Sequence, residues 1–331
     1  MRTIADVKIY HWSEIQDAFK SADIFLGNGF SININPALNY HSLFERFLTY
    51  LGPDDQSIFK KFNSTNFEGI QNKLSDALEV NTIFGNKNEE IERAQQQLKT
   101  GLLSSIKDLH PNYSLIDPRT IINLSQGLDW FENIYTTNYD TFLYHVILTT
   151  LDRHRRDKAI RRFQDFFKAD GINLIFTDET INGFRNIYYL HGALFLYKDQ
   201  EMTIKIRRGS RTEELLDLIR LRVRLGNLPI FVSEGRASLK EETISRNKYL
   251  SFCRSAFRDS KDRLVIYGFS FSDSDNHLIS DLNWNKRKLA IGLHLSGLND
   301  GKILQKVGHI EKKLYKYPSR EIKYFDSKTL F

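Results

Sequence analysis

The sequence predicts an α/β protein, a doubly wound parallel sheet that carries an inserted helical module. Three observations predict it. Five short apolar runs each end in a small polar cluster: Ile24-Phe25-Leu26 before Gly27-Asn28-Gly29, Ile134-Tyr135 before Thr136–Asp140, Ile187–Leu190 before His191-Gly192, Ile230-Phe231-Val232 before Ser233-Glu234-Gly235, and Leu264–Tyr267 before Gly268-Phe269-Ser270. Helix-patterned segments separate these runs, and strands that alternate with helices read as a parallel sheet, whose neighbours need long crossovers. Residues 40–130 keep helical spacing without strand-like alternation, so they form a module inserted between the first two strands of the sheet.

Taken in order, residues 11–22 form an amphipathic helix through Trp12, Ile15, Phe19 and Ala22, and Asp23–Leu26 is the first strand. The inserted module holds helices over about 40–51, 66–83, 88–109 and 117–129, punctuated by Pro36, Pro53, Pro111 and Pro118. Asp117 suits the N-cap of the last of these, with Pro118 at its first helical position. Glu132–Thr136 is the second strand, and a helix-like run, Thr141–Leu148, follows its polar turn at once. The densest basic run, Arg153–Arg162, reads as a solvated helix face, with contact to a nucleic-acid backbone or an acidic partner as its alternative. Ile187–Leu190 is the third strand, residues 194–208 suit a hairpin or a loose excursion, and 211–225 a basic amphipathic helix. Pro229–Val232 is the fourth strand, and a long helix over about 239–257 follows it. Arg263–Tyr267 is strongly strand-like, and two further strands near 289–294 and 321–325 flank a helix near 301–315.

Composition bounds the function. The chain has 331 residues, 41% of them hydrophobic and 27% charged, which supports one or two domains with a sizeable core. No apolar run reaches the roughly 18 residues of a transmembrane helix. Met1–Asp6 lacks the apolar core of a secretory signal, so a cytoplasmic protein without a membrane role is expected. Cys253 is the single cysteine, which excludes an internal disulfide framework and a structural zinc site of several thiolates. A net charge of +6 favours anionic ligands in general without indicating nucleic acid.

The candidate site lies where the apolar runs end. In open α/β sheets ligands bind at the carboxyl ends of the strands, where loop amides and helix N-termini converge. Gly27 and Gly29 allow a close backbone approach, but Ile32 stands where G-x-G-x-x-G needs its third glycine, so neither that fingerprint nor a phosphate loop ending in Gly-Lys-Ser/Thr is present. A tight turn is the plain reading of that motif alone. His191 stands at a strand end beside a glycine, in the same topological position as Asn138. Asp273, Asp275 and His277 form a polar cluster in which helix capping and contacts to a ribose are preferred over a metal site, since their spacing matches no recognised ligand set.

In their order these loops resemble the sirtuin-like family. Gly27-Asn28-Gly29-Phe30-Ser31 resembles its Gly-Ala-Gly-x-Ser phosphate loop, with Asn28 in place of alanine. Thr136-Thr137-Asn138-Tyr139-Asp140 resembles Thr-Gln-Asn-x-Asp, with Thr137 in place of glutamine. His191-Gly192 resembles the catalytic His-Gly, and Gly268-Phe269-Ser270 the late Gly-x-Ser beside adenosine. The motifs run from residue 23 to about 280 but cover few positions. Two departures stand out. The four-cysteine zinc module of the deacylating members has no counterpart, and Ser31–Pro36 does not match their Ile-Pro-Asp-Phe-Arg cofactor loop.

The closer resemblance is to bacterial sirtuin-like NAD hydrolases of antiphage defence. It implies one Rossmann-like NAD-binding domain over 1–331, NAD as substrate without a metal, and release of nicotinamide from ADP-ribose. It further implies that Asn138 orients the ribose and an attacking water, and that His191 acts as general base or polarises a ribose hydroxyl. Gly27, Asn28, Gly29 and Ser31 would take the pyrophosphate, Gly268 and Ser270 the adenosine ribose. Thr137 would line the cofactor. Asp140 would hold the nicotinamide side or cap the following helix. A homo-oligomer, or a partner such as a HerA-type ATPase, is implied as well. The alternatives are a non-catalytic NAD or ADP-ribose-binding regulatory module and an NAD-dependent protein deacylase.

Overall fold

The apolar runs at residues 24, 134, 187 and 264 lie side by side in one sheet, as their shared pattern of strand, polar turn and helix requires. The computed structural model describes residues 1–35, 43–65, 67–110, 113–153, 162–171, 173–207, 212–232, 237–260 and 262–331. The chain opens with a hairpin, β1 (Arg2–Ile4) and β2 (Val7–Tyr10), then a short helix α1 (Trp12–Ile15) and the strand β3 (Asp23–Leu26). Helix α2 (Gly29–Ile34) leads to the helical module, α3 (Leu43–Leu48), α4 (Pro53–Lys61), α5 (Phe67–Ile83), α6 (Glu89–Leu109) and α7 (Pro118–Leu128). Asp117 does cap α7, accepting the Arg119 amide at 3.0 Å.

Next come β4 (Asn133–Thr136), α8 (Phe142–Arg153), β5 (Phe163–Gln164), β6 (Phe167–Asp170), β7 (Asn173–Phe176), β8 (Arg185–Tyr189), β9 (Gly192–Asp199) and β10 (Met202–Lys205). Helix α9 (Thr212–Arg224), β11 (Pro229–Phe231), α10 (Ala237–Arg246) and α11 (Lys248–Arg258) follow. The chain closes with β12 (Arg263–Tyr267), α12 (Asn276–Leu282), β13 (Lys288–Leu293), α13 (Asp300–Lys313) and β14 (Ile322–Asp326).

The main sheet has nine strands in the order β1-β2-β14-β13-β12-β3-β4-β8-β5. Every neighbouring pair is parallel except β1 with β2. Register aligns the strand ends: Leu26 faces Tyr267 on one side and Thr136 on the other, and Thr136 faces Tyr189. From β3 the chain runs outward to β4 and β8, then returns to the far side of β3 through β12, β13 and β14, so strand order reverses between β3 and β12. Ile24, Phe25 and Leu26 are fully buried, as a strand covered on both faces must be.

A second sheet of five antiparallel strands, β11-β9-β10-β7-β6, corrects the expected topology. The Pro229–Val232 strand belongs here and not to the parallel sheet. It pairs with the outer edge of β9, where Pro229, which has no amide hydrogen to donate, is tolerated. The expected hairpin of residues 194–208 is β9–β10. The long helix expected over 239–257 is two helices, because the Asn247 side chain accepts the Leu250 amide at 3.1 Å and starts α11 afresh. In the inserted module the four expected helices are present over the described residues. Pro53, read as punctuation, opens the further helix α4. Ser233-Glu234-Gly235, Pro36, Pro111 and residues 154–161 of the basic run lie outside the described residues.

Candidate functional site

The loops that follow β12, β3, β4 and β8 meet at the carboxyl edge of four adjacent parallel strands. Glycine makes the first meeting possible. A Cβ on Gly27 would fall 2.6 Å from the Gly268 carbonyl oxygen, and one on Gly29 2.6 Å from the Gly268 Cα. Gly268 itself has φ +68°, a conformation in the region glycine favours. The Gly27 amide donates to the Tyr267 carbonyl at 2.8 Å and the Gly29 amide to the Gly268 carbonyl at 3.0 Å. The expected pyrophosphate cradle therefore does not have these two amides at its disposal while the loops stay joined. Asn28 and Ser270 are exposed on this rim, Gly29 and Gly268 half-buried.

Beside it the β4 turn forms a closed polar network. Ser31, on α2, is fully buried and donates its hydroxyl to Asp140 Oδ2 at 2.5 Å. Ser31 Oγ in turn accepts from Asn138 Nδ2 at 3.0 Å. Asp140 Oδ1 accepts the Phe142 amide at 2.9 Å, so of its two expected roles the capping of α8 is the one visible in the fold. Burial raises the Asp140 carboxyl to about 6, against the opposing pull of the Ser31 and Phe142 hydrogen bonds. The turn is braced by Thr136, whose hydroxyl donates to the Leu26 carbonyl at 3.2 Å and accepts the Asn138 amide at 3.0 Å. Thr137 is half-buried and donates its amide to the Leu26 carbonyl at 3.1 Å.

Backbone bonds bracket Asn138 and His191 together. The Leu190 amide donates to the Thr136 carbonyl, and the Leu194 amide to the Tyr139 carbonyl, both at 2.8 Å. His191 stands where the chain passes from the parallel sheet into the antiparallel one. Gly192 makes that passage at φ +71°, and a Cβ there would lie 2.2 Å from the Ile230 carbonyl oxygen. The His191 carbonyl accepts the Val232 amide at 2.7 Å, which draws the end of β11 to the site even though β11 belongs to the other sheet. Tyr139 ties the helical module in: its hydroxyl accepts the Leu43 amide at 3.3 Å and its ring lies 5.2 Å from that of Phe231.

One partner of His191 was illegible in the sequence. His277 Nε2 lies 3.1 Å from His191 Nε2, and both rings are only 4% exposed. Burial drives the His191 imidazole well below its ordinary value, helped by the Lys240 charge, and lowers His277 to about 2, helped by His191. Both rings are thus neutral near pH 7. The polar cluster expected from residues 273–277 is split: Asp273 pairs with Lys313 at the surface, while Asp275 and His277 come within 4.8 Å of His191. By distance that trio could hold a cation. Lys240 already supplies the positive charge, however, with its ammonium 2.7 Å from Asp275 Oδ1 and its side chain 7% exposed. A lysine in an amphipathic helix and a histidine beyond a strand end carry no local mark of such a meeting.

A cleft of about 330 Å³ lies elsewhere, lined by Gln71, Asn72, Lys198 and Asn227 among others, and holds none of these residues. No curated protein matches the chain. A domain family matches residues 24–330, which take in all four loops, and the chain belongs to that family, described as a domain of unknown function (DUF4917).

Proposed function

We propose that the chain is an NAD hydrolase that cleaves the nicotinamide–ribose bond on a sirtuin-like, Rossmann-like scaffold. One observation carries the reading: the loops bearing Asn138 and His191 are bracketed together at the carboxyl edge of β4 and β8, beside the glycine loops at the reversal of strand order. A reversal of that kind opens a crevice for nucleotides. Bond cleavage passes through an oxocarbenium-like centre. The cationic nicotinamide ring departs without a strong acid, so the site needs orientation and a base. Asn138 orients the ribose and the water. His191 takes the proton of the water or of a ribose hydroxyl, and a buried neutral imidazole is in the right state to accept it. Asn28, Thr137, Gly268 and Ser270, on the more open rim, line the cofactor. Ser31 and Asp140 hold Asn138 in place.

The reading extends to a cytoplasmic effector of antiphage defence, working as a homo-oligomer or with a partner such as a HerA-type ATPase. The test is nicotinamide release from NAD by the purified protein, with Asn138→Ala and His191→Ala beside it, each with and without the product of the neighbouring gene. Release falling about 100-fold or more in both variants, with NAD still bound, is the expected outcome. Binding of NAD or ADP-ribose without cleavage in any condition would instead favour a regulatory binding module.

A further inference from the structure

We propose that His277 is the positioning residue of the acid–base pair at His191: the two imidazoles share one proton through their Nε2 atoms. That shared proton sets the tautomer of His191 and moves to His277 during turnover. The inference rests on the reading of His191 as the base and names the group through which it works.

The geometry is direct. The Nε2 atoms are 3.1 Å apart and the ring planes are inclined by 25°. Two lone pairs at that distance repel and two N–H groups clash, so one ring donates and the other accepts. If His277 donates, the Nε2 lone pair of His191 is occupied and its Nδ1 carries hydrogen, which leaves no site to take a proton. If His191 donates, its Nδ1 holds a free lone pair. A base at His191 therefore requires the second arrangement, which places the His277 proton on Nδ1. That atom is buried and has no hydrogen-bond partner among the described residues. An unpaired buried donor is costly, and its retention is what a functional demand on the tautomer accounts for.

The proton balance follows. The O–H bond of the water or ribose hydroxyl breaks and an N–H bond forms at His191 Nδ1. The Nε2–H bond of His191 breaks and one forms at His277 Nε2. The positive charge passes to His277 only for the transfer and then leaves with the proton to solvent, because burial disfavours a lasting imidazolium there, and no electrons are exchanged. The charged groups that face it are Asp275 on the turn before α12, which favours the imidazolium, and Lys240 on α10 and Arg254 on α11, which oppose it. Lys240 is spent on Asp275, and Arg254 on Asp281 and Glu241, at 2.7–2.8 Å.

The experiment combines histidine ¹⁵N NMR on the full chain without NAD and steady-state nicotinamide release across pH. The wild type is expected to show one imidazole proton coupled to nitrogens of both rings, lost in both His277→Gln and His191→Gln. His277→Ala should lower kcat about 10-fold to 100-fold, within the range of a proton-transfer partner, with KM little changed. Opening the site to water should also move the acid limb of the profile up toward the ordinary imidazole value of about 6.5. His277→Gln, which keeps a polar group of similar reach, guards against loss of fold and should melt like the wild type. Two independent imidazole signals, or a wild-type rate and profile in His277→Ala, would overturn the proposal. So would a stoichiometric divalent ion in the wild type that His277→Gln loses. A wild type that keeps the shared proton but cleaves no NAD would overturn the hydrolase reading and leave the pair standing.

Discussion

Asp140 is the clearest case of a residue whose surroundings change its chemistry. It is 5% exposed, and burial lifts its carboxyl from 3.8 to about 6. A group raised in this way stabilises the fold fully below its unfolded value, and that contribution is lost as pH rises through about 6. The ionised form at pH 7.5 costs about 3 kcal/mol relative to an unperturbed carboxylate. Asp140→Asn keeps an oxygen for the Phe142 amide and carries no charge, although the Ser31 hydroxyl must then turn to the new amide as an acceptor. Urea unfolding should show the variant gaining on the wild type between pH 4.5 and 7.5, by about 2 kcal/mol; parallel pH curves would refute the raised pKa. The site residues were legible here because each stands in a short motif whose types answer a local need. Ser31, Asn138 and Asp140 were named in that way, but their mutual hydrogen bonds span 107 and 109 positions and have no local signature.

Among the elements, the helical module shows how far periodicity reaches. Phe44, Phe47, Phe59 and Phe67 gather into one cluster, with the Phe47 and Phe67 rings 4.5 Å apart, and Phe67 meets Phe231 of β11 at 5.4 Å. Gly101 on α6 lets Phe47 approach, since a Cβ there would stand 3.2 Å from the ring. Phe47→Ala should cost about 3–5 kcal/mol, measured by denaturant unfolding, because it empties the centre of the cluster. A loss under 1 kcal/mol would mean that the module collapses to fill the space. The module's helices were legible because apolar residues recur every three or four positions and Asp117-Pro118 marks a start. Strands β5, β6 and β7 were not. They are two to four residues long, and a bend at Phe166, with φ +67°, separates β5 from β6. The split between α10 and α11 also escaped, since the Asn247 cap sits inside an otherwise continuous helical pattern.

At the scale of the molecule, two sheets share one chain and meet at His191-Gly192. A second tie is the ion pair between Lys205 on β10 and Asp165, the residue that follows β5, with side chains 7% and 17% exposed. Asp165→Ala leaves the Lys205 ammonium buried without its partner and should destabilise the chain by about 3–5 kcal/mol in thermal or denaturant unfolding. Asp165→Ala combined with Lys205→Met should recover much of that loss, and equal instability of single and double variants would show that the pair does not join the sheets.

The sequence by itself determined the strand ends, the glycines at close approaches, most of the helices and the motif residues, because these follow from spacing, caps and backbone freedom within a few turns of chain. The tertiary structure alone decided that β11 leaves the parallel sheet and that Asp275 is divided from Asp273. It also decided that His277 meets His191 across 86 positions. Which edge a strand finds, and which buried polar group it meets there, depends on the crossovers already made, and no local pattern encodes them.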